Sequence, residues 1–329
     1  MKNGHGRCYT FLADCDDKEK YRKILLYGCL HGLNWDEQCE GTRAEYVYRL
    51  CSLLPDNEYF LNPAIEKFKA TPADGDDFNH LCDLIYAFAQ GGKENAQAAL
   101  REKYKELYAV LLGPRGEEWY DYPRDGFERL AIHLTEIFGL PEFLAGAKDI
   151  GNLYTVNDHY CGWDFDCFYA DFAERYGKEK LDKVLESEGK NSPEINKFFV
   201  CKQEEESRQL EQEKKWREER EQSGWQPRRR RVFSLSEKQV LRLIKKLELP
   251  YVDKFKRHAA VRDIINAFDN GLDLPRRATE LIYEKSFCSC CRYEAVKLMS
   301  ERGWLTDEIK SECAFDCDEM TAELVAKTE

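Results

Sequence analysis

Apolar residues recur at intervals of three and four along most of this chain. Tyr46, Leu50, Leu53 and Leu54 form one such stripe. The same spacing recurs in Leu81, Leu84, Ile85 and Phe88, in Leu130, Leu134 and Ile137, and in Val240, Leu243, Ile244 and Leu247. It places apolar side chains on one face of an amphipathic helix. Runs that alternate apolar and polar residues, which are typical of strands, are missing from the sequence. The pattern therefore predicts an all-α protein.

Short polar breaks separate the predicted helices. The segments 54–57, 70–77 and 90–92 are such breaks, and 113–125 is the longest irregular stretch. At 191–194 the sequence Asn-Ser-Pro-Glu is typical of a helix start, with Ser192 as the cap and proline in the first turn. Helices joined as hairpins are the expected result.

The segment 201–223 has a different composition, rich in glutamate, lysine and arginine. It predicts a solvated helix that is stabilised by glutamate–lysine pairs. We interpret residues 201–233 as a long charged connector between an acidic N-terminal helical block, 1–200, and a C-terminal helical block, 234–329. Ser234 and Glu237 have the spacing of a capping box at the start of the second block.

The net charge of −12 is unevenly distributed. Residues 1–200 carry 24 lysines and arginines against 36 aspartates and glutamates, whereas residues 201–329 carry 26 of each. Binding to a nucleic-acid duplex needs clustered cations, so this balance disfavours it. The sequence has no secretory signal and no apolar run near the ~20 residues of a membrane helix. We therefore expect a cytoplasmic protein that does not enter a membrane.

A four-residue pattern, H-x3-W-D-x2-C, occurs twice. The two copies are His31, Trp35, Asp36 and Cys39, and His159, Trp163, Asp164 and Cys167. A repeat of this kind indicates that one structural unit is used twice.

The first copy of the pattern leads into a candidate binding surface. Asp36, Glu40 and Arg43 fall on one face of a predicted helix, beside Trp35, and would present two acids and an arginine to a partner. The second copy, with Trp163 and Asp164, has no equivalent of Arg43. The alternative interpretation is a helix start with a local ion pair and a tryptophan packed at a hairpin junction.

Two further segments are candidate binding sites. The run Arg228, Arg229, Arg230 and Arg231 has the composition for phosphate contact, with aromatic residues beside it. It equally suits a flexible strip that docks on an acidic surface. Trp119 and Tyr120, in the longest loop, belong to residue types that often anchor interfaces.

The 14 cysteines are expected to be reduced thiols that pack as small hydrophobic residues. The cluster of Cys288, Cys290, Cys291, Cys313 and Cys317 is an alternative zinc site. Its candidate ligands are Cys288, Cys290, Cys313 and Cys317. The tight grouping at 288–291 departs from common zinc spacings, so core thiols are the favoured interpretation. No cofactor is expected.

The C-terminal sequence resembles a known repeat family. It reads CCRYEAVKLM at 290–299, GWLT at 303–306, IKSEC at 309–313 and DCDEMTAELVA at 316–326. These acidic turns and small-residue stripes resemble the helix pairs of HEAT-like repeat proteins, and 36–50 is similar to the openings of uncharacterised bacterial members. The resemblance implies an α-solenoid with an extended concave surface. The family mostly binds proteins, and one branch resembles alkylpurine DNA glycosylases.

Sequence templates for catalysis are missing: there is no P-loop, GxSxG, HExxH or GxGxxG. We therefore expect a non-enzymatic protein-interaction scaffold of the bacterial cytosol, with another protein as its partner. The alternative is a HEAT-like nucleic-acid-binding protein or DNA glycosylase. In it Trp35 or Trp163 would stack on a base and a nearby carboxylate would stabilise a developing cation.

Overall fold

The computed structural model describes residues 4–32, 42–73, 76–113, 122–156, 165–222, 236–248 and 254–327. Of these residues 82% are helical, and the described ranges contain no strand. The all-α prediction is confirmed. Within the same ranges, no helix is both long and apolar enough to cross a membrane.

The described ranges hold 17 α-helices and one short 3₁₀ helix, Lys18–Tyr21. In chain order they are α1 Arg7–Asp14, α2 Arg22–Leu30, α3 Ala44–Cys51, α4 Glu58–Ala70, α5 Asp76–Gln90, α6 Glu94–Leu112, α7 Tyr122–Phe138, α8 Leu140–Val156, α9 Asp166–Tyr176, α10 Lys178–Gly189, α11 Pro193–Gln222, α12 Glu237–Leu247, α13 Lys254–Asp269, α14 Arg276–Lys285, α15 Ser289–Glu301, α16 Asp307–Cys313 and α17 Glu319–Ala326.

Packing divides the chain into two compact units. Unit 1 combines Met1–Ala64 with Arg228–Glu329, and unit 2 is Ile65–Pro227. This division differs from the predicted blocks 1–200, 201–233 and 234–329, because the first 64 residues belong with the C-terminal helices. Contacts between residues far apart in sequence join residues 1–64 to residues 228–329. The spacing of apolar residues within one helix does not predict such contacts.

Unit 2 is built from consecutive helices that pack on one another through aromatic residues. Phe143 of α8 stacks on Phe168 and Phe172 of α9, with ring centroids 4.8 and 4.6 Å apart. Gly151 permits α8 to approach α11 closely, since a Cβ there would lie 1.8 Å from the carbonyl oxygen of Glu194. Contacts between adjacent helices are those that stacked hairpins require. The solenoid arrangement itself stays a prediction.

Helix α11 contains the predicted connector helix, but it begins at Pro193 rather than at residue 201. The predicted cap is confirmed, because Ser192 Oγ accepts the backbone N–H of Ile195 at 3.3 Å. Phe198 and Cys201 are buried, whereas residues 211–219 are exposed. The first part of the helix thus belongs to the core of unit 2, and the second part is solvated. Residues 223–233 lie outside the described ranges.

The C-terminal helices of unit 1 enclose an apolar core. It includes Val240, Ile244 and Leu247 of α12 and Val296 and Met299 of α15. The predicted stripe of α12 is therefore confirmed on its buried face. The capping box lies two residues later than predicted: the Ser236 N–H donates to Gln239 Oε1 at 2.9 Å. Ser234 lies outside the described ranges.

A fully buried ion pair lies in unit 1. Arg292 Nη2 lies 2.7 Å from Asp316 Oδ1, Arg292 Nε donates to Asp316 Oδ2 at 3.1 Å, and both side chains are fully buried. Burial alone would lower the pKa of Arg292, but the charge of Asp316 and its hydrogen bonds raise it. The guanidinium also contacts Cys317 Sγ at 3.3 Å and the Phe287 carbonyl at 3.5 Å.

Around this pair, the N-terminal segment is bound to the C-terminal helices. Arg7 of α1 donates to both carboxylate oxygens of Glu312 at 2.8 and 3.1 Å, and the Tyr283 hydroxyl donates to Glu312 Oε2 at 2.9 Å. The ring of His5 packs edge-on against Tyr283, with centroids 4.4 Å apart. Burial, together with the charge of Arg292, lowers the pKa of His5 to about 4, so this imidazole is neutral at physiological pH.

Helix α3 is attached to the same region through two arginines. Arg49 Nη2 donates to the backbone oxygen of Asp316 at 3.1 Å. Arg43 Nη2 donates to the backbone oxygen of Phe287 at 2.9 Å. These contacts fix α3 and the loop before α15 in one arrangement.

Replacing Asp316 by Asn should lower the free energy of unfolding by about 3–5 kcal/mol, because it leaves the charge of Arg292 buried and unpaired. Urea titration followed by helical circular dichroism measures this loss. Combining Asp316→Asn with Arg292→Met should recover part of it, since no buried charge then remains. A matched control is Asp273→Asn, which removes the fully exposed partner of Arg302 and should leave the midpoint unchanged. Equal losses for Asp316→Asn and Asp273→Asn would contradict the central role of the buried pair.

Candidate functional site

An apolar groove lies between α1 and α2 in unit 1. Its volume is about 370 Å³, within the ~300–1,000 Å³ usual for ligand sites. Its apolar walls are Phe11, Leu12, Tyr21, Ile24, Leu25 and Leu50. The amphipathic patterns of the two helices produce the groove, because each leaves apolar residues on the side that faces its neighbour.

Three large apolar side chains project from the two helices. Phe11 of α1 is 57% exposed, and Ile24 and Tyr27 of α2 are 56% and 58% exposed. Ile24 and Tyr27 are three residues apart and so share one side of α2. The ring of Phe11 lies edge-on to Tyr21, with centroids 5.7 Å apart. Single exposed apolar residues are ordinary on soluble proteins, but several around one groove are typical of a binding surface.

An acidic segment continues from α1 beside the groove. Asp14, Asp16, Asp17 and Glu19 are all exposed, and Lys18 is the one basic residue among 14–19. Glu19 is paired with Arg22 at 2.7 Å, and Lys18, Lys20 and Lys23 lie in the same stretch of chain. The negative charge is therefore concentrated at Asp14, Asp16 and Asp17, at and just after the end of α1. Together the groove and these acids favour a ligand that is apolar on one side and basic on another.

A second candidate in unit 1 is a cluster of two thiols and an imidazole. Cys288 is the cap residue of α15, Cys291 lies in its first turn, and His258 belongs to α13. One ligand atom of each lies within 4.8 Å of the others. A hydrogen bond with Cys288 lowers the pKa of the Cys291 thiol, and the charge of Arg262 adds to this effect, whereas burial opposes it.

The structure regroups the cysteines that were predicted as an alternative zinc set. Cys288 lies with Cys291 and His258, and Cys290 of α15 is exposed. Cys313 is buried in the core, where desolvation raises the pKa of its thiol to about 12. Cys317 contacts Arg292. Of the four candidate ligands, this group therefore includes Cys288, and its second thiol, Cys291, comes from the wider cysteine cluster. The twelve described cysteines are thiols rather than disulfides.

Unit 2 holds a third cluster, centred on His133 of α7. Its ring stacks on Tyr86 with centroids 4.0 Å apart. Nε2 lies 2.8 Å from Asp83 Oδ1, and Nδ1 lies 3.4 Å from Glu136 Oε2. Cys82 Sγ is within 4.8 Å of the Asp83 and His133 ligand atoms.

The electrostatics of this cluster are those of a buried ion network. Burial would lower the pKa of His133, but hydrogen bonds with Asp83, Cys82 and Glu136 raise it well above 6.5. Arg129 Nη1 also donates to Asp83 at 2.9 Å. An imidazolium offers no lone pair to a metal or a substrate proton. The cluster is therefore better suited to holding α5 against α7 than to chemistry.

A cavity of about 440 Å³ lies between α9 and α11 in unit 2. Lys202 Nζ sits 3.7 Å from the centroid of the Tyr169 ring and pairs with Asp182 at 3.0 Å. The buried Glu205 carboxylate has Arg208 Nη2 2.7 Å from Oε2, as an ion pair without hydrogen-bond geometry. The charges of this cavity thus have protein partners close by, and its architecture does not specify a ligand.

Most residues that the sequence indicated as binding residues lie outside the described ranges. They are Trp35, Asp36, Glu40, Trp119, Tyr120, Trp163, Asp164, Arg228, Arg229, Arg230 and Arg231. Arg43 is described. It is only 3% exposed, and it donates a hydrogen bond to the Phe287 carbonyl. Arg43 therefore does not face a partner, contrary to the prediction; it supports the loop before α15.

The sequence did not indicate the groove, and it indicated Cys288 and Cys291 only as members of a larger cysteine cluster. Cys288 and Cys291 have the C-x2-C spacing of many metal sites, a signal that the adjacent Cys290 hides. His258 lies 30 positions earlier, with no local signal. Phe11 and Ile24 look like ordinary helical core residues, and their exposure follows only from how α1 and α2 pack.

Comparisons with models of protein families, with curated proteins and with solved structures find no match to this chain. The HEAT-like relationship therefore stays a prediction.

The raised pKa of His133 predicts a pH-dependent stability of unit 2. A group whose folded-state pKa exceeds its unfolded value stabilises the fold below the unfolded value, here 6.5, and loses that effect as pH rises through the folded value. His133→Gln should therefore speed amide exchange in α5 and α7 more at pH 6 than at pH 9. Hydrogen exchange with mass spectrometry measures this. A difference that grows with pH would show that the imidazole is neutral in the fold.

Proposed function

We propose that this protein is a non-enzymatic interaction scaffold of the bacterial cytosol, and that the groove between α1 and α2 binds a basic amphipathic helix of a partner protein. The observation that carries the proposal is the exposure of Phe11 and Ile24 in the lining of one apolar groove, with the exposed Tyr27 on the same side of α2 as Ile24. Exposed apolar area costs solubility, and patches of this kind mark interaction sites.

The shape and lining of the groove favour a helix as the ligand. Amphipathic helices place side chains from successive turns into apolar grooves between helices. Phe11 and Tyr27 are aromatic residues of the kind that act as interface anchors. A helix that covers them would remove both rings and Ile24 from water together.

The charge beside the groove favours a basic polar face on that helix. Asp14, Asp16 and Asp17 are exposed at the end of α1 and just after it. Complementary charges raise the association rate and suppress wrong partners more than they raise affinity. The acids are therefore expected to select a basic helix over an acidic one with the same apolar face.

The proposed alternative, binding to nucleic acid, depends on Trp35, Trp163 and Arg228–Arg231. All of these lie outside the described ranges, and no observation on the described residues favours that alternative over the groove.

Two designed helical peptides test the proposal. Both have the same leucine-rich apolar face, and their polar faces carry either lysine or glutamate. The protein should bind the lysine peptide more tightly, and Phe11→Ala with Ile24→Ala should weaken that binding by about tenfold or more. Fluorescence anisotropy of labelled peptide measures both effects.

The matched control is Val110→Ala with Val156→Ala, since both valines are exposed apolar residues of unit 2 far along the chain from the groove. It should leave peptide affinity unchanged. The proposal fails if the protein binds neither peptide, if the glutamate peptide binds as well as the lysine peptide, or if both double variants have the same effect. Tight binding of a DNA duplex that competes with the peptide would instead favour the nucleic-acid alternative.

A further inference from the structure

We propose that His258, Cys288 and Cys291 bind one zinc-like divalent ion, with three protein ligands and a fourth coordination position open. This inference concerns a different surface from the groove and does not depend on the proposed binding of a helix.

The geometry of the cluster fits a tetrahedral ion. His258 Nδ1 lies 3.9 Å from Cys291 Sγ, and all three ligand atoms are within 4.8 Å of one another. Bond lengths of about 2.3 Å to sulfur and 2.0–2.1 Å to nitrogen place such atoms about 3.6 Å apart around a tetrahedral ion. The His258–Cys291 pair would have to close by a few tenths of an ångström, and side-chain torsions would bring the distances to Cys288, which are at most 4.8 Å, to the tetrahedral value.

The chemistry of the donors selects the class of ion. Two thiols and an imidazole form a soft set, which favours zinc and disfavours magnesium or calcium. The thiols lie at the N-terminus of α15, where the helix dipole favours the thiolate form that binds metal. Cys288 and Cys291 are buried and His258 is partly exposed, so the ion can enter from the side of the imidazole.

The loop that carries Cys288 is held in place before any ion binds. Ser286 Oγ donates to the Cys288 carbonyl at 3.1 Å, and Arg43 donates to the Phe287 carbonyl at 2.9 Å. Supporting hydrogen bonds of this kind orient ligands and strengthen metal binding. The buried Arg43 therefore supports the loop that carries Cys288.

The group around His133, which also has metal-ligating side chains, lacks these properties. In that group Asp83 is already paired with Arg129, and His133 donates to carboxylates. A cation there would displace a cation of the protein. The thiol cluster has no carboxylate, and its own side chains supply the negative charge that a divalent ion needs.

Cobalt titration of the metal-stripped chain, with a non-thiol reductant present, tests the site. Wild type should take up one Co²⁺ per chain and show thiolate-to-cobalt charge transfer together with the visible bands of tetrahedral cobalt. Zinc should displace the cobalt. Replacing a residue that only hydrogen-bonds to a metal ligand weakens metal binding about 10- to 100-fold. Cys291→Ser and His258→Ala remove ligands themselves, so each should weaken binding by at least about tenfold.

Cys290→Ser is the matched control, because Cys290 is exposed, adjacent in sequence and outside the cluster. It should keep full stoichiometry and affinity. In addition, zinc should protect Cys288 and Cys291 from alkylation by iodoacetamide while Cys290 stays reactive. If Cys291→Ser does not fold, the cobalt affinity of His258→Ala and the alkylation pattern of wild type still show whether the ion binds at this cluster. The proposal is overturned if wild type binds no ion, if Cys290→Ser loses as much affinity as His258→Ala, or if zinc leaves the alkylation pattern unchanged.

Discussion

The buried pair between Arg292 and Asp316 is the constraint on which unit 1 depends. Two charges removed from water are stable only when each is paired and its remaining donors and acceptors are satisfied. Here Arg292 makes two hydrogen bonds to Asp316, and the Asp318 N–H donates to Asp316 Oδ1 at 3.1 Å. The requirement fixes the position of α15 relative to the turn after α16, because neither partner can separate without leaving a buried charge.

The N-terminal segment uses the same region as its anchor. Arg7 pairs with Glu312 of α16, and Tyr46 of α3 donates to the His5 carbonyl at 2.8 Å. These contacts place α1, and hence one wall of the apolar groove. Arg43 and Arg292 both contact the Phe287 carbonyl and so hold the loop that leads to Cys288. The groove therefore depends on the contacts of Arg7 and Tyr46, and the thiol cluster depends on those of Arg43 and Arg292, within one region of unit 1.

Local features of the fold could be predicted from the sequence, and long-range ones could not. The stripe Leu81, Leu84, Ile85 and Phe88 is fully buried in α5, and the cap at Ser192 is confirmed, because both depend on near neighbours in the chain. The membership of residues 1–64 in unit 1 depends on partners such as Arg7 and Glu312, 305 positions apart. An arginine in a helical pattern looks the same whether it is solvated or buried, and that is why Arg43 was placed on the surface. His258 and Cys291 likewise meet only through the packing of α13 on α15.

Native-state hydrogen exchange of the whole chain, with and without Asp316→Asn, tests most directly whether the buried pair unites the two ends of the sequence. The account predicts that amides of α3 and α15 are protected together and that the substitution accelerates both, while α6 of unit 2 keeps its protection. Acceleration confined to α15, with α3 unchanged, would contradict it, because the N-terminal segment would then hold its place without the Arg292–Asp316 pair.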